Sequence, residues 1–116
     1  IRNEYTWPAR HLTNNGTGSA QLPPMGQLYR LKASYVVPAN FGVQSRAILV
    51  ALQRYGMYLA DGGSDMFITG EPHAGWDEAT FSQVQSVPSS QFEAVDLSPW
   101  TSRPGFNHDS AQVDAP

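Results

Sequence analysis

The chain has no cysteine and little charge, and each shortage excludes a class of function. Without cysteine, none of its 116 residues can form a disulfide framework, a thiol nucleophile or a cysteine-ligated metal site. Charged residues make up 15% of the sequence, compared with roughly 25% in typical soluble domains. A surface built mainly from Ser, Thr, Gln, Asn and Gly is common on secreted proteins, so we expect an extracellular location.

Basic clusters and long apolar runs are also missing. The formal net charge is −3 and Lys32 is the only lysine, which argues against nucleic acid because phosphate binding needs clustered Lys and Arg. The longest apolar runs, such as Ala47 to Leu52, are far too short to span a membrane. Neither nucleic acid nor a membrane is therefore an expected partner. The chain begins at Ile1 with no leader pattern, which indicates a trimmed or cleaved product.

The stretch from Arg46 to Gly70 predicts a helix, a glycine stop and a β-hairpin. We predict a helix over 43–55, capped by Asn40 and ended by Gly56 in a left-handed conformation. The polar residues Gln44, Arg46, Gln53 and Arg54 lie mostly off its apolar stripe. Helical spacing places on that buried stripe Val43, Ala47, Ile48, Ala51, Leu52 and Tyr55.

Strands are predicted on both sides of this helix. Alternating apolar residues predict a strand over 27–37, with Tyr29, Leu31, Ala33 and Tyr35 on one face. Short apolar runs at 57–60 and 66–69, separated by a glycine-rich turn, predict the hairpin. A further strand is expected at 92–95.

A second helix is predicted to start at Asp77, an aspartate cap placed between Trp76 and Phe81 as in a hydrophobic staple. It turns Phe81 and Val84 inward and ends before Pro88. The predicted class is α+β: a mostly antiparallel sheet carrying two helices. Residues 1–96 form one unit, of which 1–26 is an irregular arm, and 97–116 form an extended or disordered tail.

Four blocks stand out along the chain: WPARHLT, LPPMG, RLKASY and RAILVALQRYGMYLADGGSDMFITG. Together they resemble the C-terminal part of a family of uncharacterised secreted proteins, mostly bacterial. The resemblance covers roughly residues 5–96 and carries no catalytic assignment. It implies one portion of a larger β-rich secreted protein, for which glycan contact is a reasonable expectation by analogy. Gly62 stands where the family's turn often has Asn.

The best candidates for chemistry are three carboxylates at the predicted hairpin, Asp61, Asp65 and Glu71. Such a group could act as an acid/base pair on a glycosidic bond or bind calcium together with backbone carbonyls. The alternative is turn chemistry, because Asp before Gly-Gly forms local backbone hydrogen bonds. The histidines lack metal-ligand spacing, so no other metal or cofactor is predicted.

Aromatic residues are the other candidates for ligand binding. Trp7, Tyr58 and Trp76 could stack on sugar rings, because an aromatic face is apolar while its polar edge stays wet. Packing in a core or interface is the alternative, and the staple already accounts for Trp76. Asn15 begins an Asn-Gly-Thr sequon in a loop, which predicts a glycosylation site in a eukaryotic host.

These features favour a portion of an extracellular carbohydrate-associated protein that binds or processes a glycan. One alternative is a structural or assembly subunit whose aromatic-rich arms and tail pack against partner chains. Another is a hydrolase fragment whose main catalytic residues lie on a missing segment. In every case we expect a further chain, or a segment of the same precursor, to complete the sheet, because the strands are few and the irregular ends long.

Overall fold

The computed structural model of the chain describes residues 1–13, 16–63 and 67–111. It has the predicted α+β class. A 3-10 turn precedes the third strand. The helices and strands of the described part are, in chain order, β1 (Leu28–Leu31), α1 (Val43–Arg54), β2 (Met57–Tyr58), α2 (Thr80–Gln85), β3 (Phe92–Val95) and α3 (Ser98–Thr101).

The three strands found among the described residues form one antiparallel sheet in the order β2-β1-β3. Arg30 of β1 and Glu93 of β3 form a cross-strand ion pair, with Nη2 and Oε1 2.7 Å apart. The third strand matches its prediction, whereas β1 ends at Leu31 and not at 37. The chain turns there, because the side-chain amide of Gln53 donates hydrogen bonds to the backbone carbonyls of Lys32 and Tyr35, at 3.1 and 2.8 Å.

The predicted hairpin is wrong. Its first strand is only Met57–Tyr58, and this strand pairs with β1. Residues 67–69 form no strand in the structure, and Met66 lies outside the described residues. Pairing with a strand that is distant in sequence leaves no signal in the local pattern of apolar runs and glycines. The pattern therefore predicts that residues 57–60 pair with the next apolar run, 66–69.

The helix α1 starts at Val43 as predicted and ends at Arg54, one residue before the predicted end, but its N-terminal cap differs from the prediction. The N-cap is Gly42, with no side-chain cap from its own residue, so the predicted cap at Asn40 is wrong. At the other end Arg54 is the last helical residue, and Gly56 has φ = +73°. A left-handed residue after a helix strongly favours glycine, which confirms the predicted stop.

The described residues divide into two compact units. The first contains those of 1–29, 58–62 and 94–116, and the second those of 30–57 and 63–93. The predicted boundary at residue 96 falls inside the first unit. In the second unit a core forms around the fully buried Leu31 and Leu49, and α2 and the residues after it also contribute. The buried members of this core are Leu31, Leu49, Leu52, Val84 and Val87.

The second helix is shorter than predicted and starts at Thr80, not at Asp77. Asp77 does not cap it; its backbone N–H instead donates to Gln44 Oε1 at 2.8 Å. The predicted contact between Trp76 and Phe81 is present, with ring centroids 5.3 Å apart. Val84 is buried as expected, whereas Phe81, which was also predicted to turn inward, is exposed.

Residues 98–101, predicted as part of an extended or disordered tail, form the short helix α3. Pro99 stands in its first turn, where the fixed φ of proline fits a helix start. The carboxylate of Asp96 accepts hydrogen bonds from the Ser98 N–H at 2.8 Å and hydroxyl at 2.9 Å. Ser and Pro, which indicated a loop by composition, are here the starting residues of a helix.

Candidate functional site

The predicted acidic group is described only in part, because Asp65 lies outside the described residues. Asp61 Oδ1 accepts a hydrogen bond from the Gly62 N–H at 2.6 Å. That contact is a local backbone hydrogen bond of the turn, the alternative to a role of Asp61 in catalysis or calcium binding. Glu71 is exposed, and its backbone carbonyl accepts the Trp76 indole N–H at 3.0 Å. Catalysis by this group stays a prediction.

Within residues 1–13, 16–63 and 67–111, no three or more His, Asp or Glu side chains are grouped so as to hold a metal ion. A calcium site that includes Asp65 lies outside that range and stays a prediction, as does glycosylation of Asn15. No helix of the described part combines the length and apolarity that crossing a bilayer requires.

Trp7 is half-buried within the first unit. Its ring meets Phe106 edge-to-face with centroids 5.6 Å apart, and its Nε1 donates to Ser110 Oγ at 3.2 Å. These contacts tie the N-terminal arm to residues after α3. Trp7 therefore has a packing role, which is the alternative to stacking on a sugar ring.

The other two aromatic candidates differ in their surroundings. Trp76 packs against Phe81 and donates its indole N–H to a backbone carbonyl, so its polar edge is already engaged. Tyr58 lies in β2 with about half of its surface exposed. The described contacts of Trp7 and Trp76 are packing contacts within their own units, and stacking on sugar rings stays a prediction.

The most distinctive surface of the second unit is the side of α1 that faces solvent. Val43 is 80% exposed, Val50 44% and Tyr55 73%. Val43 and Val50 are seven residues apart and lie on the same side of the helix. Tyr55, the residue that follows α1, lies at the edge of this side, four residues from Ala51. We call this surface the outer face of α1; its apolar members are Val43, Ala47, Val50, Ala51 and Tyr55.

The outer face of α1 is basic as well as apolar. Arg46 and Arg54 are both exposed on it, and the helix contains no acidic residue. Neither guanidinium forms an ion pair or hydrogen bond with any other residue that the structure describes. Two positive charges thus lie among the exposed apolar side chains of this face.

This orientation corrects the predicted stripe, of which only Leu52 is buried and Ile48 half-buried. The side of α1 that faces the core carries Ser45, Leu49 and Leu52. The hydroxyl group of Ser45 is buried there with two hydrogen-bond partners, Gln83 Oε1 and the Thr80 carbonyl. Hydropathy alone could not reveal which side of α1 is buried, since it assigns polar residues such as Ser45 to the surface.

Gln44 and Gln53 also lie on this inner side and are half-buried, contrary to the prediction. Gln44 Nε2 donates to the Gly75 carbonyl at 2.6 Å, and its Oε1 accepts the Thr80 hydroxyl at 2.9 Å. Each glutamine thus serves as a connector between α1 and a neighbouring loop. Arg46 and Arg54 are exposed, as predicted.

No protein-family model, curated protein or solved structure matches the chain.

Proposed function

We propose that the chain is an assembly subunit that binds an acidic, amphipathic segment of a partner protein through the outer face of α1. The observation that carries this proposal is the exposed apolar stripe on α1, with Val43 80% and Tyr55 73% exposed. An apolar patch rimmed by charge is typical of a protein–protein interaction site. The extracellular location and the membership of a larger assembly, both expected from the sequence, belong to the same proposal.

The charges of the outer face favour an acidic partner over a second copy of this chain. An antiparallel pair of α1 helices centred on Val50 would bring Arg46 of each copy against Arg54 of the other. A parallel pair would bring each arginine against itself. Like charges placed together disfavour an interface, whereas carboxylates on a partner would pair with both guanidinium groups.

An amphipathic helix is the form of partner segment that this surface fits. Helices dock on one another through anchors spaced like those of the outer face, three, four and seven residues apart. Association would remove the aromatic ring of Tyr55 and the side chains of Val43 and Val50 from water, which supplies the main driving force. The two arginines would add orientation and salt dependence.

The proposal is tested with a synthetic helical peptide that carries leucines at helical spacing and glutamates on both flanks. Its control is the same peptide with lysine in place of each glutamate. We expect the acidic peptide to bind in fluorescence anisotropy, more weakly as salt is raised, and the lysine peptide not to bind. Equal binding of the two peptides, or binding of neither, would overturn the proposal.

Two matched variants locate the binding surface. Val43→Glu places a like charge on the outer face, and we expect it to weaken binding of the acidic peptide by about tenfold or more. Val36→Glu is the control, because Val36 is also a valine of the second unit and is 83% exposed. Equal losses in the two variants would place the binding surface elsewhere. A dimer of the chain alone that Val43→Glu dissolves would make a second copy the occupant.

The sequence also predicted glycan stacking and hydrolysis. Trp7 and Trp76 are engaged in packing, and Asp61 is bound to its own turn. The contacts of the described residues therefore support the assembly function more directly than a hydrolase.

A further inference from the structure

A groove of about 340 Å³ lies within the first unit. Its volume is at the lower end of the roughly 300–1,000 Å³ typical of small-molecule sites. Buried Pro24, Leu28 and Leu97 supply apolar surface to it. Side chains from three distant parts of the sequence give it polar groups, of which the most important are Arg2, Gln27 and Asp96.

The acceptors of the groove are held in place by other hydrogen bonds. Gln27 Nε2 donates to the carbonyls of Leu28 and Val95, both at 3.0 Å. The Oε1 atom of the same amide has no hydrogen-bond partner within the described part of the chain, so it can accept a hydrogen bond from a ligand. The carboxylate of Asp96 is oriented by two hydrogen bonds from Ser98 and keeps unused lone pairs.

Two hydroxyl groups add further acceptor capacity. The Ser98 hydroxyl group donates a hydrogen bond to the Asp96 carboxylate at 2.9 Å, and the Thr101 hydroxyl group donates one to the Leu97 carbonyl at 3.3 Å. With their protons committed, both oxygens face a ligand mainly as acceptors. The groove is therefore rich in acceptors, and a ligand must bring donors to match them.

Arg2 supplies the donors of the groove. Its Nε is a buried atom and lies 3.0 Å from Glu4 Oε2. This contact is an ion pair and not a hydrogen bond, and Nε has no hydrogen-bond partner among the described residues. The ion pair offsets the charge of the guanidinium, while the N–H groups that remain can donate to a ligand.

This set of groups selects among ligand classes. The Asp96 carboxylate would repel an anion. The Arg2 guanidinium would repel an ammonium ion, which can donate hydrogen bonds but cannot accept them. A hydroxyl group both donates and accepts, so several of them on one neutral ring can satisfy both kinds of group. The C–H face of such a ring can also contact the apolar surface of Leu28 and Leu97.

We propose that this groove binds a neutral carbohydrate unit, with Asp96 and Gln27 accepting from its hydroxyl groups and Arg2 donating to them. The site uses none of Trp7, Tyr58 or Trp76, the residues that the sequence predicts to stack on sugar rings. It is independent of the outer face of α1, whose residues all belong to the second unit.

The test titrates the whole chain with glucose, galactose, mannose and N-acetylglucosamine. It follows the NMR signals of the Gln27 side-chain amide, the Arg2 Nε–H and the Ser98 backbone N–H. We expect at least one sugar to shift these signals saturably. Inorganic phosphate and spermidine serve as the anionic and cationic controls. The proposal is overturned if none of the sugars shifts the three signals, or if phosphate or spermidine shifts them more tightly than every sugar.

Two carboxylate variants locate the site. Asp96→Asn removes a charged acceptor, and we expect binding to weaken by about tenfold or more because charge-assisted hydrogen bonds are the strong ones. Asp61→Asn is the matched control, an exposed carboxylate of the same unit that does not line the groove. Binding lost in Asp61→Asn and kept in Asp96→Asn would place the sugar at the acidic turn.

A second groove variant guards against a change of fold in Asp96→Asn. Thr101→Val keeps the shape of the side chain and removes only its hydroxyl group. We expect a weaker affinity, by a few-fold, with the remaining backbone NMR signals unchanged. Unchanged affinity in both Thr101→Val and a folded Asp96→Asn would overturn the proposal.

Discussion

The side-chain oxygen of Gln83 accepts a hydrogen bond of 2.6 Å from the hydroxyl group of Ser45. The same oxygen accepts the Gly42 N–H at 2.8 Å. Gln83, a residue of α2, thereby satisfies an N–H group at the start of α1 that has no partner within its own helix. The cap expected from a local residue, Asn40, is supplied instead by a residue more distant in sequence.

We expect Gln83→Ala to lower the free energy of unfolding by about 1–3 kcal/mol. The change leaves the Ser45 hydroxyl, which is fully buried, and the Gly42 N–H without their shared acceptor. Urea unfolding followed by circular dichroism measures the difference. Gln85→Ala is the control, because Gln85 is exposed on the same helix, and its cost should stay within about 0.5 kcal/mol. Equal costs would show that the shared acceptor does not stabilise α1.

The orientation of α1 is tested by truncating two neighbouring residues. Leu49 is fully buried in the core, and we expect Leu49→Ala to cost about 2–5 kcal/mol. Val50 lies on the outer face, so Val50→Ala should cost less than about 1 kcal/mol. Thermal and urea unfolding of the two variants provide the comparison. A Val50→Ala cost as large as that of Leu49→Ala would mean that the outer face is covered, which would contradict the proposed function as well.

The elements that the sequence predicted correctly are those with local causes. The helix over 43–54 follows from its composition, its end follows from Gly56, and the strand over 92–95 follows from β-forming residues between turn signals. The α+β class follows from these elements together. Each depends on residues within a few positions of one another, which is the range over which propensity acts.

The features that the sequence did not predict depend on distant residues. The orientation of α1 is set by Ser45 and the glutamines, whose partners lie about 20–40 positions away. The pairing of β2 with β1 has the same character. The groove joins Arg2, Gln27 and Asp96, and no short motif marks it. A single sequence carries no local signal for such contacts.

The titration of Asp96 gives a prediction about pH. Hydrogen bonds from the Ser98 backbone N–H, and then from the Ser98 hydroxyl group, hold the pKa of the Asp96 carboxyl below its ordinary value. Since this pKa is lower in the folded state than in the unfolded state, the carboxylate favours folding above its ordinary pKa. That contribution is lost as the pH falls through the lowered pKa.

Ser98→Ala removes the smaller of the two causes, the hydroxyl hydrogen bond, and keeps the backbone one. We expect the pKa of Asp96 to rise part of the way toward its ordinary value, as measured by NMR titration of its Cγ. Ser82→Ala is the control, because its hydroxyl bonds only to a carbonyl three residues back in the second unit. An Asp96 pKa that is the same in Ser98→Ala as in the unchanged protein would rule out the hydroxyl as a cause.

Gly26 gives a prediction about the backbone of the first unit. Its φ is +81°, a region that costs other L-residues about 1–2 kcal/mol. A Cβ atom there would also meet the Thr6 carbonyl and lie 2.8 Å from the Ala9 Cβ. The N–H of Gly26 donates to the Leu59 carbonyl at 2.9 Å, so the backbone is not free to move away. We therefore expect Gly26→Ala to cost about 2 kcal/mol or more.

Gly18→Ala is the matched control in the same unit, since a Cβ added at Gly18 meets nothing within 4 Å and its φ is not in the left-handed region. We expect this change to be neutral, or to stabilise by up to about 1 kcal/mol because it restricts the unfolded chain. Urea unfolding compares both variants with the unchanged protein. If Gly26→Ala were as well tolerated as Gly18→Ala, the close approach of Thr6 to Gly26 would be wrong. The N-terminal arm, which carries Arg2, would then pack differently beside the groove.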